Sequence, residues 1–175
     1  KEQQLIYNEN SVLMQINPLR ECNASFDLYV DYDYRILPEL SYQNPNLSAH
    51  ILKAYETYMT NGEMYRYILE NFDSIQEIRY LTELFTVKTD TATNMISVSV
   101  KHSDAAACEQ LLQLAKESLE QKQADIATAI DNHKLIVTTT ASYETVNLAL
   151  EETQKKNRNY ITDLDTTIKA KNDER

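Results

Sequence analysis

The chain has 175 residues, enough for one domain with a proper core, and it carries 27 acidic against 17 basic side chains for a formal net charge of −10. Such an acid excess repels phosphate backbones and anionic lipid headgroups, and its cations form no patch: Lys155, Lys156 and Arg158 are flanked by Glu151, Glu152 and Asp163, so nucleic-acid binding is excluded. A single glycine, Gly62, excludes the dinucleotide fingerprint, the phosphate-binding P-loop and the nucleophile elbow, each of which needs two or three glycines within a few residues.

Two segments at the start read as strands, 11–17 (SVLMQIN) and 24–32 (ASFDLYVDY), separated by a turn at Pro18–Asn23. In the second, Phe26, Leu28, Val30 and Tyr32 face one way, and Asp27, Tyr29, Asp31 and Asp33 the other. Residues 33–47 contain Pro38 and Pro45 among polar groups and read as a loop from sheet to helices. Ser48 opens a helix to Thr60, with Ile51, Leu52, Tyr55 and Met59 on one side, and Asn61-Gly62 ends it. A second short helix spans Glu63–Phe72. Ser74-Ile-Gln-Glu77 has the form of a capping box opening a third helix, with Ile78 and Leu81.

The alternation is sharpest in the next stretch. Phe85 and Val87 alternate with Thr86 and Lys88, and Ile96, Val98 and Val100 with Ser97, Ser99 and Lys101, giving strands at 84–89 and 94–101 around a polar break. The period then changes to that of a helix. Ser103 and Asp104 supply the start, and Cys108, Leu111, Leu112, Ala115 and Leu119 form the stripe of a helix running to about Asn132, some 43 Å at 1.5 Å per residue. Its distal half thins to Ala124, Ile126, Ala127 and Ile130. Residues 133–140 (HKLIVTTT) are β-branched and read as a fifth strand. Ser142 is expected to start a last helix to about Lys171, with a weak coiled-coil stripe of Val146, Leu150, Thr153, Asn157, Tyr160 and Leu164. The expected fold is α+β: a small mixed sheet of four to five strands, helices packed on one face, and two long helices at about 104–132 and 142–171.

Side chains that carry chemistry are scattered. Asp27, Asp31 and Asp33 share a strand face, but a straight strand lacks the carbonyl ligands of a Ca²⁺ loop, and the pattern reads as a solvated face. His50, His102 and His133 are too widely spaced for a metal or general-base motif. Cys22 and Cys108 form no zinc-type spacing and are either a disulfide or two buried thiols. Tyr29, Tyr32, Tyr34, Tyr55, Tyr58, Tyr65 and Tyr67 gather in the first half; sugar rings stack on aromatic faces, yet at helical spacing Tyr55 and Tyr58 read as packing at the core edge. No catalytic residue, cofactor or metal ligand is assigned, and the expectation is a protein that is not an enzyme. No apolar run approaches the ~18 residues of a membrane span, and the first ten residues lack a signal-peptide core.

The stretch from Thr93 to Ala107 resembles the Wzz-type chain-length determinants, or polysaccharide co-polymerases. A Thr93-Asn94 pair leads into the strand Met95–Val100, and Asp104 with Ala107, one residue closer in spacing, stands where that family has an Asp-x-x-x-Ala helix start. Upstream, LSAHILKAYETYMTNGEMYRYILENF looks like the family's paired helices, and the resemblance covers roughly residues 10–140. The C-terminal helical residues depart from the best-known Gram-negative pattern and look more like the variants of Gram-positive anaerobes. The resemblance implies one extracytoplasmic domain, residues 1–175, excised from between two transmembrane helices at the cell membrane. It implies a homo-oligomer that sets the length of an O-antigen (lipopolysaccharide), capsular or exopolysaccharide chain by acting as a scaffold for a polysaccharide polymerase. On this expectation the long helix 104–132 projects from a small α/β base and supplies subunit contacts. The growing polysaccharide is a further implied partner, and in Gram-positive relatives similar proteins also modulate a cytosolic tyrosine kinase. The alternative is the extracytoplasmic sensor domain of a signalling receptor, which shares the same flanking helices; a secreted enzyme comes third.

Overall fold

The structure, a computed structural model, describes residues 1–32 and 46–173. The 33–47 loop expected from the two prolines, with Asp33 and Tyr34, therefore lies almost wholly outside the described residues. Four strands form one antiparallel sheet in the order β2-β3-β1-β4: β1 is Glu21–Asp31, β2 Phe85–Asp90, β3 Met95–His102 and β4 Lys134–Thr145. Seven helices accompany it among the described residues: α1 (Glu2–Asn10), α2 (Val12–Gln15), α3 (Ser48–Thr60), α4 (Glu63–Glu70), α5 (Ile78–Thr82), α6 (Ala105–Ala129) and α7 (Leu148–Asp173). The α+β class is as expected, but the sheet is antiparallel throughout rather than mixed.

Each strand shows one apolar face. Cys22, Ala24, Phe26, Leu28 and Val30 of β1 are buried, as are Ile96, Val98 and Val100 of β3. Helix α6 lies over this face with Cys108, Leu111, Ala115, Ser118 and Leu119 turned inward, and α3 and α4 complete the layer with Ile51, Leu52, Tyr55, Met59, Met64 and Ile68. The β2–β3 turn is built by Asp90, whose carboxylate accepts from Ala92 N (2.9 Å) and Thr93 Oγ1 (2.8 Å), while Asn94 takes a left-handed φ of 55° that asparagine tolerates. Gly62 sits at φ 94° between α3 and α4, where a side chain would be strained. Asp104 caps α6 as the sequence predicts, accepting from Ala107 N at 2.8 Å.

Four expectations fail for identifiable reasons. Residues 11–17 are not a strand: Val12–Gln15 form the short helix α2, because Met14 and Ile16 reach the core at spacings that a helical turn and its exit also satisfy. The capping box at Ser74 does not form; Glu77 precedes α5 and makes no side-chain cap bond. Residues 142–145 stay in β4, held by register with Glu21–Ala24, and the last helix starts only at Leu148, where Asn147 Oδ1 accepts from Leu150 N at 3.0 Å. Finally, α6 does not project. Ile126, in its distal half, is 4% exposed and belongs to the core, so the helix lies along the sheet over most of its length.

Helix α7 packs instead on α1 and α2. Gln154 Nε2 donates to the carbonyls of Leu13 (3.0 Å) and Ile16 (2.8 Å), Asn157 Nδ2 meets Met14 Sδ at 3.4 Å, and Lys1 pairs with Asp165. As residue numbers rise from 1 to 16, their partners in α7 fall from 165 to 154, so the two segments run antiparallel.

Candidate functional site

The other face of the sheet is left uncovered by the described helices, and cross-strand register arranges it in rows. At one end Asp90, Met95, Tyr29 and Ile136 stand side by side. Next come Lys88, Ser97, Asp27 and Thr139, then Thr86, Ser99, Ser25 and Ala141. At the far end Lys101 and Asn23 lead to Tyr143. The two middle rows are built almost wholly of short polar side chains, and a shallow depression of about 250 Å³ lies over them, lined by Ser25, Asp27, Thr86, Lys88, Ser97 and Ser99. Ser97 Oγ donates to Asp27 Oδ1 at 2.5 Å, so the central carboxylate is already fixed in orientation. The outer rows are taller and partly apolar: Tyr143 is 52% and Ile136 43% exposed, with Tyr29 and Met95 half-buried.

This arrangement follows from the period of a strand. Side chains at i and i+2 share a face, so packing Phe26 and Leu28 inward necessarily turns Ser25, Asp27 and Tyr29 outward. A bulge between Asp27 and Leu28 inserts Thr138 into β4 and lets Ile136 and Thr139 both reach the open face.

A second feature is the groove between α6 and β4, about 310 Å³, with Leu112, Gln113 and Lys116 on one wall and Val137 and Thr140 on the other. Ser142 Oγ donates to Glu109 Oε1 across it at 3.3 Å. Strand β4 is one of the two edges of the sheet, and no charge occurs from Leu135 to Tyr143.

The remaining sequence candidates are dispersed. Asp27 and Asp31 do share the open face, but among the described residues no group of three His, Cys, Asp or Glu side chains could hold a metal ion. His50 is exposed on α3. His102 closes β3, and its Nδ1 accepts from Asp104 N at 3.1 Å; burial holds this imidazole below its usual pKa, with Asp104 offsetting part of the shift. His133 is buried ahead of β4. Its Nδ1 lies 3.0 Å from the Asp131 carbonyl and its Nε2 2.6 Å from Tyr55 Oη, and Tyr32 Oη donates to Asp131 Oδ2 at 2.9 Å. These contacts tie the end of α6 and the start of β4 to α3 and β1. They brace the core, and burial raises the Tyr55 pKa.

Tyr55 and Tyr58 are buried against the core, as their helical spacing predicts, Tyr65 is buried with them, and Tyr58 Oη meets Ser118 Oγ at 2.6 Å. Cys22 and Cys108 are both buried free thiols. Cys108 Sγ donates to the carbonyls of Cys22 and Val100, each at 3.3 Å, and burial pushes its pKa up to about 12. Sequence reasoning missed Tyr143, because residues 142–145 read as the start of a helix. The signal that could have found it was the β-branched and aromatic run continuing through TTTASYET. No helix among the described residues is long and apolar enough to cross a membrane. No family model matches the sequence, and no curated protein matches it either.

Proposed function

We propose that this chain is the extracytoplasmic part of a membrane-anchored, non-enzymatic regulator of cell-surface polysaccharide length, a scaffold of the Wzz kind that works on a polymerase as a homo-oligomer. The observation that carries the reading is the antiparallel pairing of α1–α2 with α7. It brings Lys1 against Asp165, so the first residue and the last turns of α7 leave the sheet on the same side. Two membrane helices flanking one domain need that geometry, because both must enter the same bilayer. The strand, turn, strand and long helix from Phe85 to Ala129 support the same reading, being the unit on which the resemblance rests.

In this role the domain supplies shape and surface rather than bond chemistry, and the edge strand β4 and the open face are the surfaces it has to offer a neighbouring subunit or a polymer. The experiment is deletion of the gene and display of the surface polysaccharide by gel electrophoresis. The expected result is loss of the modal chain length, restored by the full-length gene. An unchanged length distribution would sink the proposal, and a signalling module encoded directly after a second membrane helix would favour the sensor reading instead.

A further inference from the structure

We infer that the open face of the sheet is a glycan-binding surface, on which a polysaccharide segment lies along β1 from the Tyr29 row to the Tyr143 row. The inference rests on the reading above and adds to it the surface that meets the polymer. Tyr29 and Asn23, the β1 members of the outer rows, are six residues apart, roughly 20 Å along a strand. That is room for several sugar rings. Between the rows the shallow trough presents Ser25, Ser97, Ser99 and Thr86, with Thr139 beside Asp27 in the same row by register. Hydroxyls both donate and accept, as a sugar's own hydroxyls do, so such a row exchanges hydrogen bonds with a polyol without demanding one fixed pattern. Asp27, already oriented by Ser97, is the strongest acceptor in the trough. Tyr143 at one end, with Tyr29 at the other, offers aromatic surface for the apolar C–H face of a sugar ring.

Charge selects this occupant over others. The solvent-facing charges of the open face are Lys88, Lys101 and Lys134 against Asp27, Asp31 and Asp90, three against three, on a chain whose net charge is −10; Glu21, on the same face by register, is buried and accepts from Asn147 Nδ2. The face is locally balanced where the molecule as a whole repels anions, so a neutral or mildly acidic glycan meets no barrier here. A second sheet stacked face to face would need an apolar inner layer, and the two middle rows are polar. An anionic bilayer would need a cationic surplus, which three aspartates cancel.

The test is an NMR titration of this 175-residue chain with oligosaccharide fragments released by mild acid from the surface polysaccharide of the cell that carries the gene. Resonance changes are expected to be confined to β1, β2, β3 and the 136–143 stretch of β4. Tyr143→Ala, an exposed position, is expected to weaken binding about five- to tenfold, while Tyr160→Ala on α7 leaves it unchanged. No resonance change at millimolar fragment, changes mapping to α7 or the α6–β4 groove, or a Tyr143→Ala chain that binds as the parent does would each overturn the inference. The deletion strain separates the two proposals. Altered polymer length without fragment binding keeps the regulator and removes the glycan surface, and fragment binding without altered length does the reverse.

Discussion

The two faces of the sheet are made by the same strands, one residue out of step, and they differ in nearly every physical respect. Phe26, Leu28, Val98 and Val100 lie under α6 at 2% exposure or less, whereas Ser25, Asp27, Ser97 and Ser99 stand between two open rows. The covered face contributes through area removed from water, at roughly 25 cal/mol per Å². The open face contributes little to stability and is free to be chemically particular. The contrast shows how one sheet can carry two different surfaces: what packing of the core leaves unspecified is free to vary on the open face.

The largest test of this contrast is Phe26→Ala. Removing a fully packed aromatic beneath α6 is expected to cost about 3–5 kcal/mol, read as a lower denaturant midpoint with an unchanged slope. The same logic applies to Ile126→Asp, which places a carboxylate in the core and so reports on folding rather than on assembly. Next in size is Gln154→Ala. It removes both donors to the Leu13 and Ile16 carbonyls and is expected to cost about 1–3 kcal/mol, with faster amide exchange in α2 and in the first turns of α7 while β1–β3 stay protected.

A smaller effect is set by pH. Burial depresses the folded-state pKa of His102 below its unfolded value, so the unfolded chain takes up the proton first. Stability present above the ordinary imidazole range is therefore lost as pH falls from about 6.5 toward the depressed value. Melting curves between neutral pH and pH 5 should show this decline, and His102→Asn should flatten it. A decline of equal size in the variant would place its origin elsewhere. Smallest of all is Ser99→Ala on the open face, expected to change stability by less than about 0.5 kcal/mol. A cost approaching that of Phe26→Ala would break the distinction between the faces.

Much of this was legible in the chain. Alternation at Phe26–Val30, Phe85–Val87 and Ile96–Val100 announced three strands and named their buried faces, and the stripe Cys108–Leu119 with its Asp104 cap announced α6. Periodicity reads such elements because a half-buried strand or helix has to repeat its apolar residues at its own geometric period. Three matters were decided only by tertiary structure. Residues 12–15 are too few for their period to separate helix from strand. Residues 142–145 are extended because β1 offers them backbone partners as far as Glu21, which no local propensity encodes. The open face exists as a site only through register: Lys88, Ser97, Asp27 and Thr139 lie far apart in sequence, and three antiparallel pairings, the last offset by the bulge at Thr138, set them in one row. The sequence by itself determined which side chains of β1, β2, β3 and the first half of α6 are hidden, since burial there follows local pattern, whereas the expected stripe of the last helix failed, with Val146 and Tyr160 exposed. Which exposed side chains stand together was left to the sheet, because cross-strand neighbours are fixed by pairing and not by position along the chain.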